Sequence, residues 1–357
     1  MHIKKLNAEN FTNFDVLDIE FSRNINIFSG PNGIGKTNIL KALYGVTKVL
    51  DEINVENQNR LTVNVSKEKA NEMLINKFIR VYRCDTIGRL VKRKVGRGKA
   101  KLNILLEENE KIEISFSRQA VRNIEIEDDI REIGKQLKPV YIPPKEIISA
   151  VENFSAIYEN YHIAFEETYY DLNKLLLLPT RKGPNSEKQR KLLKQFEGIV
   201  DGKVVFKEGK FYLKTQGQGE FEMGLVAEGS RKWATLLQLV QNGVLTENAI
   251  LFWDEPESNI NPNLIKSTVD VLVALAKMGV QIFITTHSYF LQQEFDLYSK
   301  YKANKDKIKI NFISLYANED GTVLYENAPI LSELEHNIIM KEFENLYNRE
   351  QDLFYGD

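Results

Sequence analysis

The sequence has little cysteine, little histidine and no long apolar run, and each shortage excludes a class of protein. A single cysteine, Cys84, excludes a disulfide framework and a cysteine-based zinc site, as is typical of a reducing compartment. Four scattered histidines argue against a histidine-rich metal cluster. The run VDVLVALA is too short to span a bilayer, and the first ten residues lack the apolar core of an export signal. We therefore expect a cytoplasmic chain with no membrane segment.

An excess of basic charge is also missing. Lys and Arg total 48 against 50 Asp and Glu, a net charge of −2, which excludes a globally basic nucleic-acid binder but not a local basic patch. The composition, 43% hydrophobic and 27% charged, is ordinary for a globular protein and excludes a disordered or collagenous chain. A length of 357 residues indicates two or three units, or one large domain with an insertion.

The order of predicted elements indicates an α/β fold. Short alternating strands are predicted within 2–28, and residues 145–197 predict mainly helix, followed by a hairpin over 203–215. From residue 226 onward helices and strands alternate, which favours a parallel sheet, and the tail 290–357 predicts a helix, a strand and a final helix. A β-meander is predicted with strands at 76–85, 88–95, 101–109 and 111–117.

A glycine-rich loop, GPNGIGKT at 30–37, lies between a predicted strand and a predicted helix. It matches G-x-x-x-x-G-K-[ST] in the context that the motif requires. Its glycines let backbone N–H groups surround phosphate oxygens, and the helix N-terminus adds positive charge. Lys36 would reach the β- and γ-phosphates of ATP, and the Thr37 hydroxyl would ligate Mg²⁺. The candidate nucleotide-binding residues are Gly30, Asn32, Gly33, Gly35, Lys36, Thr37 and Asn38.

Two further predicted strands end in chemically active side chains. The apolar run 249–253 ends at Asp254 and Glu255, where α/β sheets bind their ligands. Asp254 would hold Mg²⁺ through its water shell, and Glu255 would activate the attacking water as a general base. One helix and one strand later His287 would sense the γ-phosphate, so Glu255, His287 and Lys36 form the predicted catalytic set. The alternatives are a solvated strand cap for the two acids and a structural role for His287.

These motifs together resemble the ABC-type ATPase heads of the SMC/RecF/OLD class. Residues 3–14 with the glycine loop resemble the N-terminal lobe and Walker A, 251–262 resemble Walker B and the D-loop (258–262), and 284–288 resemble the H-loop. Within this class the sequence is most similar to the OLD-like ATPases of bacterial anti-phage defence systems. The resemblance implies an α/β P-loop fold with a mixed sheet, an N-terminal antiparallel β lobe and a helical insertion. It divides the chain into an N-terminal ATPase lobe, a helical insertion with a hairpin, a C-terminal ATPase lobe and an extension, at 1–144, 145–220, 221–292 and 293–357.

In such heads a signature segment before Walker B acts across a dimer, and here its candidate is 226–232. Gly229, Ser230 and Arg231 would bind the γ-phosphate of the partner protomer. The family's serine is replaced by Ala227, so one hydroxyl contact is missing, and Ser230, Arg231 or Lys232 are its candidate replacements. Two cations at a helix N-terminus suggest an anionic partner, and the alternative is an ordinary capped helix.

Two other family positions depart from the pattern. The Q-loop position, after the strand KPVYI, holds no glutamine, and Glu146 is a weak substitute. In the N-terminal lobe, where repair-type heads often carry an arginine, the chain has Thr12 and Asn13, and Asn13 is a candidate nucleotide contact.

The remaining segments bear on partners. Residues 145–220 are too few for coiled-coil arms, and the residues after His287 show no acid cluster of a Toprim nuclease, so we expect chemistry on nucleic acid to be absent or supplied by a partner. The aromatic stripe 154–170 predicts a helix core or a partner-binding face. Two basic stretches, at 89–101 and 181–194, are either solvated faces or DNA or RNA contacts. Their basic residues are Arg89, Lys92, Arg93, Lys94, Arg97, Lys99, Lys101, Arg181, Lys182, Lys188, Arg190, Lys191 and Lys194.

The function that the resemblance implies is ATP hydrolysis by a homodimer or higher homo-oligomer, closed head to tail around two Mg–ATP molecules. The ATP state would control a DNA-directed response or a separately encoded effector, a nuclease or toxin, in anti-phage defence. The alternatives are a DNA-repair ATPase of RecF type and a nucleotide-binding scaffold with little hydrolysis. A membrane-transport cassette fits the N-terminal lobe poorly.

Overall fold

The computed structural model describes residues 1–59, 65–94, 98–131, 133, 137–161, 163–181 and 187–356. In chain order its strands are β1 (Ile3–Phe11), β2 (Phe14–Glu20), β3 (Ile25–Ser29), β4 (Lys99–Leu106), β5 (Lys111–Ser117), β6 (Glu125–Ile126), β7 (Lys138–Ile142), β8 (Gly202–Lys207), β9 (Lys210–Thr215), β10 (Gly219–Glu222), β11 (Ala249–Asp254), β12 (Gln281–Thr285), β13 (Ile310–Ala317) and β14 (Val323–Ala328). The α-helices are α1 (Lys36–Asn59), α2 (Lys67–Tyr82), α3 (Phe154–Tyr161), α4 (Glu167–Leu176), α5 (Glu187–Ile199), α6 (Glu228–Gln241), α7 (Ile265–Lys277), α8 (Tyr289–Tyr301), α9 (Ala303–Asp306) and α10 (Ile338–Tyr355).

The central sheet has the strand order β14-β13-β3-β12-β11-β7, and only β14 runs antiparallel to its neighbour. Every residue of β11 and β12 is buried, as their continuous apolar sequences predict. Successive side chains of a strand point to opposite faces, so Phe252 joins the core around α1 whereas Leu251 and Trp253 join the core around α6 and α7. Because β12 lies between β3 and β11, the segments that follow these three strands meet at one edge of the sheet.

The N-terminal lobe is the antiparallel sheet β2-β1-β4-β5-β6. In β1 the side chains of Leu6 and Ala8 are buried and alternate with partly exposed neighbours, as expected of a sheet with one face on the core. The predicted class is therefore confirmed, namely an α/β P-loop ATPase fold with a mixed sheet and an N-terminal antiparallel lobe.

The predicted meander is wrong in its first half. Residues 76–82 belong to α2, and Ile87–Leu90 form a 3₁₀ turn followed by a single bridge from Val91 to Phe11, while 95–97 fall outside the described residues. The side chains of Ala70, Leu74 and Phe78 are buried at a helical spacing against α1, and packing on one face outweighs the strand preference of the sequence FIRVY. The second half, β4 and β5, follows the prediction, with the reversal at Glu107–Asn109.

The insertion is helical, as predicted, and carries the small sheet β10-β9-β8, whose β8–β9 hairpin was also predicted. It shares a core with the rest of the chain, since the ring of Phe196 on α5 packs edge-on against Trp233 on α6 at 6.0 Å. The boundaries at 144, 220 and 292 stay predictions. Within the described ranges, no helix combines the length and the apolar character that crossing a membrane requires.

Candidate functional site

The glycine loop joins β3 to α1 and depends on two glycines for its path. Gly30 has φ +141°, and a Cβ there would lie 2.3 Å from the backbone oxygen of Leu315. Gly35 has φ +116°, and its Cβ would lie 2.7 Å from the ring of Phe14. Both values are in the region that favours glycine, so the loop passes β13 and the N-terminal lobe at distances that other residues do not permit.

The Lys36 side chain is buried inside this loop. Its ammonium donates hydrogen bonds to the carbonyl oxygens of Gly30 and Pro31, both at 2.9 Å. Burial lowers the pKa of Lys36 to about 8, although the nearby carboxylates, Glu255 first among them, act in the opposite direction. A poorly solvated cation at the N-terminus of a helix is suited to binding phosphate oxygens.

The Asp254 carboxylate, at the end of β11, contacts the loop. The hydroxyl of Thr37 donates to Asp254 Oδ1 at 3.1 Å, which brings the two predicted metal ligands together. Thr285 donates to the same oxygen at 2.5 Å, and Tyr141 donates to Oδ2 at 3.2 Å. An oxygen pair of one carboxylate and one hydroxyl fits Mg²⁺, which usually completes its shell with water and substrate phosphates. Neither Tyr141 nor Thr285 was assigned a role from the sequence: no local motif marks Tyr141, and within the H-loop stretch 284–288 only His287 was singled out.

Glu255 and His287 face each other beside Lys36 and Asp254. Their closest atoms, Glu255 Oε1 and His287 Nε2, are 3.9 Å apart, and each side chain is about one-third exposed. Burial, and then the Lys36 charge, lower the pKa of His287, so its imidazole is neutral at pH 7. The structure thus brings together the three predicted catalytic side chains, although their roles stay predictions.

A residue that the sequence analysis missed holds the segment after β12. Glu257 Oε1 accepts hydrogen bonds from the Thr286 hydroxyl at 2.7 Å and from the backbone N–H groups of His287 and Ser288 at 2.7 and 3.1 Å. Burial raises the pKa of Glu257. Glu257, the third acid of the sequence DEPE, is therefore a positioning residue for His287, and its only sequence signal was its place after Pro256.

The N-terminal lobe reaches the glycine loop through Asn13. Its side-chain amide donates to the carbonyl of Gly33 at 2.6 Å, and its own amide oxygen accepts from Asn38 at 3.4 Å. Asn13 and Asn38 therefore lie together at the loop, next to the exposed Asn32. A contact between any of them and a nucleotide stays a prediction.

The candidate signature segment begins α6, and its cations have partners within the chain. Arg231 pairs with Glu146 Oε1 at 2.5 Å and donates to the carbonyl of Val226 at 2.7 Å. The Lys232 ammonium contacts the D-loop residue Ser258. The charges of Arg231 and Lys232 therefore do not by themselves indicate an external anion. Contacts of Gly229, Ser230 and Arg231 with a partner's nucleotide stay predictions.

The two basic stretches differ in their surroundings. Lys92 and Lys94 both pair with Asp15, and Lys99 pairs with Glu125. On α5 the side chains of Leu192 and Phe196 are buried, which turns the exposed residues Arg190, Lys191 and Lys194 to the opposite face. Arg97 and Lys182 lie outside the described residues, as does the side chain of Lys188.

The aromatic stripe is mainly self-packed. The rings of Tyr158 and Tyr170 stack at 4.8 Å, and Phe165 packs edge-on against the buried Phe154 at 5.4 Å. Of its six aromatic residues only Phe154 is buried, while Phe165 is 45% and Tyr161 77% exposed, so helix core and partner-binding face both stay predictions.

Comparisons with known proteins agree with this geometry. A family model described as "AAA domain, putative AbiEii toxin, Type IV TA system" matches residues 25–291. The DNA replication and repair protein RecF of Clostridium kluyveri is 59% identical over 44 residues, 12% of each chain. RecF of Clostridium botulinum is 32% identical over 124 residues, 32% of this chain and 34% of that protein. The matches thus span about a third or less of these relatives.

Solved structures of SMC heads share the fold across nearly the whole chain. The SmcHead bound to the C-winged helix domain of ScpA aligns with a TM-score of 0.54 and 12% identity, over 93% of this chain and 99% of that one. The Smc head with an extended coiled coil, bound to the C-terminal domain of ScpA derived from Pyrococcus furiosus, gives 0.52 and 12%, over 97% and 99%. With the family match over most of its length, the chain belongs to the AAA-domain family described as putative AbiEii toxin of type IV TA systems, and it has the fold of an SMC-type ATPase head.

Proposed function

We propose that the chain binds and hydrolyses Mg–ATP and that its ATP-bound form is a head-to-tail homodimer. The observation that carries this proposal is the contact of Thr37 with Asp254 at 3.1 Å, which joins the glycine loop to the end of β11 beside Glu255 and His287. Phosphoryl transfer to water requires a metal site, a cation for the phosphates and groups that handle the proton of the water. Thr37 with Asp254, Lys36, and Glu255 with His287 would supply these at one edge of the parallel sheet.

Each side chain has one task in this reaction. Lys36 and the loop N–H groups bind the β- and γ-phosphates, and Thr37 with Asp254 would hold Mg²⁺, which when bound neutralises phosphate charge. Glu255 accepts a proton from the attacking water. The neutral His287 imidazole donates a hydrogen bond to the γ-phosphate.

Two substitutions test the assignment. We expect Lys36→Ala to lose measurable Mg–ATP binding, and Glu255→Gln to bind Mg–ATP normally but to lower kcat by about 100-fold or more, because a positioned general base contributes that much. The control is Lys266→Ala, a lysine on the exposed surface of α7 that pairs with Asp270. ATP affinity near wild type in Lys36→Ala would refute the binding site. An unchanged turnover rate in Glu255→Gln would remove Glu255 as the base.

The output of the cycle is proposed to be control of an effector in anti-phage defence, a nuclease or toxin encoded separately. The OLD-like motifs and the family description, which names a putative toxin of type IV TA systems, support this direction. Nucleic acid would be the trigger, bound through exposed basic residues such as Arg93 and Arg190. Phosphate contacts weaken steeply with salt, so filter binding at rising salt concentration tests this part. If the chain binds neither DNA nor RNA at low salt, this part of the proposal is contradicted.

A DNA-repair ATPase of RecF type is a second candidate, favoured by the matched segments of RecF proteins. It predicts ATP-dependent retention on DNA without an effector protein. A nucleotide-binding scaffold is favoured by Ala227 at the signature position and predicts binding with negligible turnover. Turnover measurements separate the scaffold from both ATPases, and a DNA-retention assay with the purified chain separates the two ATPases.

A further inference from the structure

Lys232 is a buried cation in the first turn of α6, at the predicted signature segment. Its side chain is 1% exposed. The ammonium donates to Ser258 Oγ at 2.5 Å and to the backbone carbonyl of Glu255 at 3.3 Å. Burial lowers the pKa of Lys232, against the raising effect of four carboxylates led by Glu257. A buried ammonium is costly unless it is well bonded, so these two contacts account for its position.

The carbonyl that Lys232 reaches belongs to a residue with an unfavourable backbone conformation. Glu255 has φ +50°, in the left-handed region, which is unfavourable for a residue with a side chain and persists only when its surroundings hold it. The Glu255 N–H donates to Thr285 Oγ1 at 3.1 Å. Its carbonyl accepts from the Ser258 N–H at 3.1 Å and from Ser258 Oγ at 3.0 Å, in addition to Lys232. Lys232 is thus the one charged group among these backbone contacts of Glu255.

Two further side chains at the start of α6 bond to neighbouring segments of the chain. Glu228 accepts a hydrogen bond from the D-loop residue Asn259 at 2.8 Å, and Arg231 pairs with Glu146, just after β7. Ser258 also approaches the carbonyl of Pro144 at 3.4 Å. The start of α6, the D-loop and the segment after β7 therefore form one bonded unit around the backbone of Glu255.

We propose that Lys232 is a positioning residue for ATP hydrolysis, which ties the signature helix to the turn that aims the Glu255 carboxylate. The inference rests on the proposed role of Glu255. Within the described part of the chain, the Lys232 ammonium donates to the Glu255 carbonyl and to Ser258, so it acts through Glu255 and not on the substrate. If α6 moves when it contacts the nucleotide of a partner protomer, the Lys232 side chain would transmit that movement to Glu255 of its own protomer.

The test uses Lys232→Met in the full chain, because methionine preserves much of the stem and removes the ammonium. We expect kcat to fall by about 10- to 100-fold, the loss that a small misplacement of a catalytic group produces, while the Kd of Mg–ATP changes by less than about threefold. In the Glu255→Gln background the same substitution should cause no further loss of residual turnover, since its effect passes through the missing carboxylate. Lys266→Met is the matched control and should leave turnover unchanged.

Each result decides the inference. If Lys232→Met leaves kcat unchanged, the inference is overturned. It is also overturned if Lys232→Met lowers turnover by the same factor in the Glu255→Gln background as in the wild-type chain. Either result leaves the proposed function intact. Absence of Mg–ATP hydrolysis in the wild-type chain overturns both together. If Lys232→Met does not fold, Ser258→Ala replaces it; the loss of one partner of the ammonium should lower kcat by about two- to fivefold at constant Kd. A soluble Ser258→Ala with wild-type kcat overturns the inference.

Discussion

The Lys36 ammonium should make nucleotide affinity depend on pH. Its pKa is lowered to about 8, so the ligand-free protein loses this charge in mildly alkaline solution. Phosphate binding favours the charged form, and affinity should therefore fall above pH 8 by up to about tenfold per pH unit. Isothermal titration with Mg–ATP at pH 7 and pH 9.5 measures the effect. Lys36→Arg stays charged over this range and should lack the decline. Equal wild-type affinity at both pH values would contradict the lowered pKa.

The sequence predicted the role of a site residue where that residue belongs to a local motif. Thr37 and Asp254 were paired from two separate motifs because parallel strands bring their carboxyl ends to one edge. Tyr141 donates a hydrogen bond to Asp254 but was not predicted as a site residue. It lies 113 residues before Asp254 in the sequence, and its own strand carries no motif. Lys232 was predicted from its place at a helix N-terminus to bind an anionic partner or to replace the signature serine, and only the packing of α6 against the D-loop shows that it is buried.

At the scale of elements, the glycine loop should tolerate alanine at one glycine and not at another. In Gly30→Ala the new Cβ would meet the Leu315 carbonyl at 2.3 Å, whereas Gly33, at φ +75°, has nothing within 4 Å of its Cβ position. We expect Gly30→Ala to lower the free energy of unfolding by about 2–4 kcal/mol and Gly33→Ala by about 1 kcal/mol. Urea denaturation measures both. Equal losses would indicate that the contact with β13 does not constrain the loop.

A buried ion cluster joins three helices of the N-terminal half. On α2 the Lys77 ammonium lies 2.9 Å from Glu52 of α1 and 2.9 and 3.1 Å from Glu167 and Asp171 of α4. Burial alone would lower the pKa of Lys77, but the three carboxylates, led by Asp171, raise it, so Lys77 stays protonated at neutral pH. Removing the cation leaves the buried Asp171 with the Tyr44 hydroxyl and the buried Glu167 with Arg80 at 3.9 Å, so both acids lose the ammonium that they share.

Lys77→Met should therefore lower the free energy of unfolding by about 3–5 kcal/mol, as for other broken buried ion pairs. The surface control Lys266→Met should change it by less than about 0.5 kcal/mol. Chemical denaturation monitored by tryptophan fluorescence provides the measurement. A Lys77→Met loss no larger than that of the control would mean that the helices are held by apolar packing alone.

Part of α2 was predicted as a strand, and a comparison with the correctly predicted strands shows why secondary-structure prediction succeeds for some segments and fails for others. β11 begins with a continuous apolar run, and β3 and β12 are short and rich in Ile and Phe, so these local signals agree with their buried place in the sheet. In α2 the C-terminal half is β-branched and aromatic, and the helical period emerges only when the segment is read from its cap at Ser66. There tertiary packing against α1 outweighs local preference.

At the scale of the whole molecule, the candidate site is incomplete within one chain if the signature segment acts as proposed. The start of α6 contacts Asn259 and Glu146 of its own chain, so the buried Gly229 and the partly exposed Ser230 lie beside the D-loop. A helix N-terminus of this kind can bind a γ-phosphate held by a second copy. Two such contacts related by a two-fold axis would close both sites at once.

Glu255→Gln should therefore be monomeric without nucleotide and dimeric with Mg–ATP, because it retains binding and stalls hydrolysis. Size-exclusion chromatography with light scattering measures the mass directly, against a chain mass of 41.2 kDa. The double variant Lys36→Ala with Glu255→Gln is the control and should stay monomeric with Mg–ATP. A dimer or larger assembly in both conditions would mean that other surfaces hold the protein together and that nucleotide acts within a preformed complex. A monomer in both conditions would contradict the homodimer and direct the search to a partner chain that supplies the signature contact.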